Sequence, residues 1–182
     1  MALGLFAQIG LIGHLFSLLV PAMGAQGAGL AAGLSTAMAI GGRTLVGWLM
    51  PAHTDRRIVG AVNYGVQIAG CGAFLAAGGT NVPLLLTGVV LFGMGIGNTT
   101  SIPPLVAQSE FAREDVGRVV ALTTAVSQGF YAFAPAVFGV IREESVVAVL
   151  FLVAAALQAA AACSYWKGRG AWQDSEQPPD RT

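Results

Sequence analysis

Charge is the scarcest ingredient of this chain: only 10% of its 182 residues are Asp, Glu, Lys or Arg, where a soluble domain carries about 25%. So thin a polar coat does not cover a globule, and 55% hydrophobic residues with a mean hydropathy of +0.70 place the chain in a membrane. Net charge is zero and no basic block occurs, which leaves nothing to support nucleic-acid binding. Cysteine is nearly absent. Cys71 and Cys163 both fall in apolar runs, and read as small buried hydrophobes rather than a disulfide or a metal pair. No P-loop, Gly-x-Ser-x-Gly or His-Glu-x-x-His pattern is present, and His14 is the only histidine inside an apolar run. An ATP-driven pump, an intramembrane protease and a bound metal or cofactor are therefore not expected, and the chain does not read as an enzyme.

What is there is a set of uncharged runs, 1–42, 58–109, 119–141 and 145–166, which hold 42, 52, 23 and 22 residues. A membrane helix needs roughly 20, so the runs divide as two, two, one and one. The first is broken by turn formers at Pro21-Ala22-Met23-Gly24-Ala25-Gln26, the second at Gly78-Gly79-Thr80-Asn81-Val82-Pro83. Pro103-Pro104 ends the fourth segment or turns it into a short connector, since neither residue can donate a helical hydrogen bond. Expected helices one to six cover about 3–20, 27–50, 58–77, 83–102, 117–141 and 145–166. With no alternating strand pattern, the fold class is all-α and polytopic. Residues 167–182, polar and rich in Gly and Pro, read as a disordered cytoplasmic tail.

Basic residues set the orientation. Arg56, Arg57, Arg113, Arg118, Lys167, Arg169 and Arg181 fall on one side and Arg142 alone on the other, so both termini are expected in the cytoplasm and the chain in the cell's inner (plasma) membrane.

All nine acidic residues lie outside the expected spans. The polar residues at depth are Gln8, His14 and Ser17 in helix one, Arg43 in helix two, Asn63 and Gln67 in helix three, Asn98 to Ser101 in helix four, and Thr123, Thr124, Ser127, Gln128 and Tyr131 in helix five. Helix six offers only Gln158 and Ser164, so it is the expected lipid-facing outer helix. A cation on a membrane helix costs at least about 2.5 kcal/mol at mid-depth. Arg43 either snorkels towards the interface or pairs with an acidic group or a helix C-terminus at the cytoplasmic mouth. His14, the one group there that titrates near neutrality, is a hydrogen-bonded packing residue or a contact for substrate or proton. Gln128 and Tyr131 stand one turn apart on a shared face, suited to lining a cavity or to interhelical bonds. Glycines such as Gly88, Gly93, Gly95 and Gly97, and Gly24, Gly27, Gly29 and Gly33, have the spacing that lets membrane helices approach closely.

Six spans with both ends cytoplasmic, and Gly42-Arg43-Thr44-Leu45-Val46-Gly47 leading to Asp55-Arg56-Arg57 after the second span, resemble one half of a major facilitator superfamily transporter. The interval from Gly47 to Asp55 is longer than in that family's signature. Gly88, Gly93 and Gly97 before Pro103-Pro104, then Gly117-Arg118, Gly129, Pro135 and Gly139, are similar to the fourth and fifth helices of its carboxy-terminal half. The resemblance spans about 1–166. It implies secondary active transport of a small solute by alternating access, with helices one, two, four and five lining the path, and a second six-helix half as partner: another chain, a missing segment or a second copy. It also implies substrate contact by Gln8, His14, Asn98, Gln128 and Tyr131, and a cytoplasmic gate of Arg43, Asp55, Arg56 and Arg57. The competing expectation is a non-transporting membrane subunit, a relic half with an assembly or regulatory role.

Overall fold

A computed structural model describes residues 1–50 and 54–173 of the chain. It is all-helical, in the order α1 (Ala2–Leu49), α2 (Arg56–Ala77), α3 (Val82–Thr99), α4 (Ile102–Glu110), α5 (Arg113–Tyr131), α6 (Ala134–Glu144) and α7 (Val147–Gln173). Five helical stretches among the described residues are long and apolar enough to cross a membrane, with α3 running on into α4 and α5 into α6.

The first of these departs from the expected pair of helices at 3–20 and 27–50. α1 is 48 residues long with Pro21 inside it, and its only non-helical residue is Gly24, at φ 71° and ψ 172°. Glycine reaches that positive φ without a Cβ clash. The bend is sharp. On a straight helix Gln8 and Arg43 would stand about 50 Å apart, yet they bond to adjacent residues, Thr99 and Thr100. α1 is thus two legs folded back on each other at Gly24, and the six-residue breaker reduces to one residue. Pro21 is tolerated because its lost hydrogen bond is replaced: the Ser17 carbonyl, which a residue at 21 would normally cap, accepts from Arg142 Nη2 at 3.4 Å. Arg142 Nη1 also donates to the Ser17 hydroxyl.

The other prolines start helices rather than ending them. α3 stops at Thr99, and Pro103-Pro104 open α4, at the turn where a missing N–H leaves nothing unsatisfied. Expected helix five is split in the same way at Ala132-Phe133, with Pro135 in the first turn of α6. Between α2 and α3 the breaker reading holds. Gly78 and Gly79 take φ of 56° and 76°, and Asn81 caps α3 by accepting from Leu84 N at 3.2 Å. At the far end α7 continues to Gln173, past the expected boundary at 166, and positions 174–182 of the expected tail lie outside the described residues.

Glycine makes the packing close. Gly88 lies under the Phe74 ring, Gly70 against Phe92, and Gly93 against the backbone of Ser35. α3 is thereby clamped between α2 and the second leg of α1 with little room for any larger side chain. α7 lies along α2, with Phe151 stacked on Phe74 at a centroid distance of 5.1 Å and Tyr165 over Gly60. The first leg meets α5 and α6 through Phe6, whose ring is 5.1 Å from Phe130, and through Gly10 beneath Phe138. The helix with the barest side is α5 rather than expected helix six. α5 buries only Ser127, whereas α7 buries Leu150, Phe151, Ala154, Gln158 and Ala161.

Candidate functional site

Polar side chains in a membrane bundle gather where they can satisfy one another, and here they meet at mid-height. Gln67, the twelfth of the 22 residues of α2, is the hub. Its Oε1 accepts from Gln8 Nε2 at 2.7 Å and from Gln158 Nε2 at 3.1 Å. Gln8 Nε2 also donates to the Thr99 hydroxyl at 2.5 Å, and that hydroxyl donates to the Gly95 carbonyl at 3.3 Å. On the adjoining turn Asn63 donates to the Gly95 carbonyl at 3.0 Å and accepts from Asn98 Nδ2 at 3.1 Å. Asn98 Nδ2 also lies 3.4 Å from the Gly42 carbonyl. The network ties both legs of α1 to α2, α3 and α7. Gln8, Gln67 and Gln158 are all within 1% of complete burial. Among the described residues, Gln67 Nε2 and Gln158 Oε1 are buried polar atoms left without a hydrogen-bond partner.

Arg43 sits beside this network on the outer surface of the second leg. Its Nε donates to the Gly97 carbonyl at 2.8 Å and its Nη2 to the Thr100 hydroxyl at 3.0 Å. Gly97 belongs to the last turn of α3, where carbonyls lack helical partners and the dipole favours a cation. The guanidinium therefore rests on a helix C-terminus.

The residues read as a gate divide. Asp55 caps α2, accepting from Arg57 N at 2.9 Å. Arg56 Nη1 reaches the Leu105 carbonyl at 3.3 Å, and Arg57 forms a two-pronged pair with Glu110, 2.7 Å on each arm. Together they fasten the start of α2 to α4. Arg43 makes its bonds a layer deeper, at the end of α3. Glu110 was not among the expected gate residues, and the signal for it was the placement of an acid and a basic pair on two loops assigned to the same side.

The expected substrate contacts divide as well. Gln8 and Asn98 are buried in the network. His14 is half-buried on the other side of the first leg, with Nε2 3.0 Å from the Pro135 carbonyl. A carbonyl only accepts, so Nε2 carries the proton. Gln128 is exposed on α5, and Tyr131 is half-buried at its last turn. The structure thus joins Gln8 to Asn98 through Thr99, Gly95 and Asn63, and leaves His14, Gln128 and Tyr131 outside that network. Gln67 and Gln158, which hold it together, were visible in the sequence only as polar residues at depth.

Two cavities flank the network. One of about 340 Å³ lies between α4, α5 and α7 near Arg57, Pro104, Thr123, Thr124 and Tyr165. The other, about 370 Å³, is at the opposite end beside Ser17, Pro21, Phe74 and Arg142. Asn98, one of the five expected contacts, lines a groove of about 100 Å³ between the second leg, α2 and α3. Among the described residues no three His, Cys, Asp or Glu side chains converge as a metal site would require.

No protein-family model, curated protein or solved structure matches the chain.

Proposed function

We propose that the chain crosses the membrane six times, with both termini in the cytoplasm of a plasma (inner) membrane, and works as one half of a secondary transporter for a small solute. The reading rests on one observation, the exchange of partners between the first three crossings and the last three. The first leg of α1 packs on α5 and α6, as the second leg packs on α3. α2 packs on α3 as α1 does on α7, and α2 and α7 pack on each other. Exchanging crossing one with four, two with five and three with six interconverts these pairings, while the α6–α7 contact stands outside the pattern. Each unit has an odd number of crossings, so the second is inserted upside down relative to the first. Such inverted repeats, with polar groups and helix breaks near mid-depth where they meet, are the construction on which alternating access operates.

In this reading Arg57–Glu110, with Arg56 and the Asp55 cap, is the cytoplasmic latch, closed here, and Gln8, His14, Asn98, Gln128 and Tyr131 supply the substrate contacts. The second half is another chain, a further segment or a second copy. The test is counterflow of radiolabelled solutes in proteoliposomes containing the chain, alone and together with any co-purifying partner. Uptake that falls at least tenfold when His14, Gln128 and Tyr131 are changed to alanine, with folding intact by circular dichroism, supports the reading. Solute flux indifferent to all three removes them from the path. A chain that moves no solute in any combination is the non-transporting subunit instead.

A further inference from the structure

We propose that the cavity between α4, α5 and α7 is a binding pocket for a small uncharged polyol, held by the hydroxyls of Tyr165, Thr123 and Thr124. The transporter reading supplies only the idea that this ligand is the solute; the pocket itself stands on hydrogen bonding, internal symmetry and charge.

The hydroxyls come first. A hydroxyl on a membrane helix can turn back onto a carbonyl one turn earlier. Thr36, Thr44 and Thr87 do so, on Ala32, Ile40 and Pro83 at 3.4, 3.0 and 2.9 Å. At the cavity Ser164 does the same on Ala160, at 2.8 Å. Thr123 and Thr124 of α5 and Tyr165 of α7 also line the cavity, and among the described residues their hydroxyls make no hydrogen bond. Thr124 and Tyr165 are half-buried there, with Thr123 more open. Three groups able both to donate and to accept thus border one hollow of about 340 Å³.

The counterpart at the other end of the bundle comes second. Residues 91 positions apart hold equivalent places in the two inverted units: Gln8 bonds to Thr99 and Gln158 to Gln67 across that interval. The same shift turns the Phe6–Phe130 contact into Gly97 against Ala39, and the Phe74–Phe151 stack into Tyr165 over Gly60. It also carries Tyr165 to Phe74 and Arg57 to Ala148, both of which line the cavity of about 370 Å³ beside Ser17. The two hollows are therefore one feature of the repeated fold, bordered by a phenyl and a methyl at one end and by a phenol and a guanidinium at the other. Phe74 fills its place without a hydroxyl, so packing does not require the one on Tyr165, and it is available to a ligand.

Charge sets the class. Among the described residues Arg57 is the one charged side chain that lines the cavity, and Glu110 answers it on two arms at 2.7 Å. A carboxylate ligand would have to displace Glu110 from that fork, whereas an uncharged one leaves the pair in place. Pro104, Phe111, Val119 and Val120 offer apolar surface to the C–H faces of a ligand, and the volume is at the small end for ligand pockets. Hydroxyls matched to hydroxyls, apolar contact between them and no net charge describe a small polyol.

The experiment uses the full chain in lipid nanodiscs and measures equilibrium binding of radiolabelled glycerol, xylitol and glucose, with glycerate, xylonate and gluconate as charged analogues. At least one polyol is expected to bind saturably, at one site per chain, without competition from its carboxylate. Tyr165→Phe combined with Thr124→Val should weaken that binding by roughly tenfold or more, with helicity intact by circular dichroism. Thr87→Val, outside the cavity, should leave it unchanged. Glu110→Gln frees the Arg57 fork, so that variant should bind the carboxylate that the native chain excludes. No saturable binding of any probe, equal competition by the carboxylate, undiminished binding by the double variant, or continued exclusion of the carboxylate by Glu110→Gln would each overturn the proposal. The two readings fail separately. A polyol that binds here but is never moved across proteoliposomes removes the transport reading and keeps the pocket. Solute flux that the double variant leaves intact removes the pocket and keeps transport.

Discussion

α3 and α5 are both glycine-bearing helices of nearly equal length, yet they are packed in opposite ways. Gly88, Gly93, Gly95 and Gly97 of α3 each touch a neighbouring helix, two of them through backbone atoms, whereas Gly117 and Gly129 of α5 meet nothing within 4 Å. α3 buries nine residues and α5 one. α5 instead presents Leu122, Val126 and Phe130 outward, with Phe133, Val137 and Val140 continuing the ridge into α6. A glycine count alone does not locate a close helix contact in a membrane; a glycine matters where another backbone comes down on it. α3 is the fixed spine of the bundle, and α5–α6 is the element with the most uncovered face.

The sharpest way to break that contrast is Gly97→Leu. The Ala39 carbonyl and Arg43 Cβ occupy the space a side chain would need, so the variant is expected to lose about 3 kcal/mol or more, or fail to fold, as measured by SDS titration of the reconstituted protein. Next in size is Gln67→Leu, which strips the hub and leaves Gln158 Nε2 buried with no acceptor. A loss of about 1–2 kcal/mol is expected, and a double-mutant cycle with Gln158→Leu should recover part of it. The Arg57–Glu110 pair is partly exposed, at 23% and 21% of side-chain area, so Glu110→Gln should cost no more than about 1 kcal/mol. That loss should shrink further in high salt, and a latch role would appear as faster flux rather than lower stability. Smallest of all, Gly129→Leu should change stability by less than about 0.5 kcal/mol. A large loss there would mean that α5 is covered in the membrane after all.

Much of this was legible beforehand, residue by residue. Asn81 and Gly78-Gly79 were read as a break between helices, and they form one. For Arg43 the sequence offers snorkelling or pairing with an acid or a helix C-terminus at the cytoplasmic mouth, and in the structure its Nε donates to the Gly97 carbonyl in the last turn of α3. At Pro103-Pro104 the short connector is a nine-residue helix, α4, because the same missing N–H that forbids a helix interior is harmless in a first turn. Which of the two applies at Pro103 and Pro135 depends on where the preceding helix stops. Pro21 was misjudged for a different reason: the donor that replaces its bond, on Arg142, is 121 residues away in the chain.

Taken by itself, the sequence determined that the chain is helical and that its helices are apolar enough to cross a membrane. Those properties follow from the contrast between hydrocarbon and water, which each segment meets on its own. Only the tertiary structure decided which glycines are contacts, that Gln8 and Gln158 share the Gln67 Oε1 acceptor while Gln128 stands outside, and that Arg43 rests on α3. Lipid is as apolar as the bundle interior, so no hydrophobic stripe marks the inward face of a membrane helix. The choice is left to steric fit and hydrogen-bond pairing, which exist only between helices already brought together.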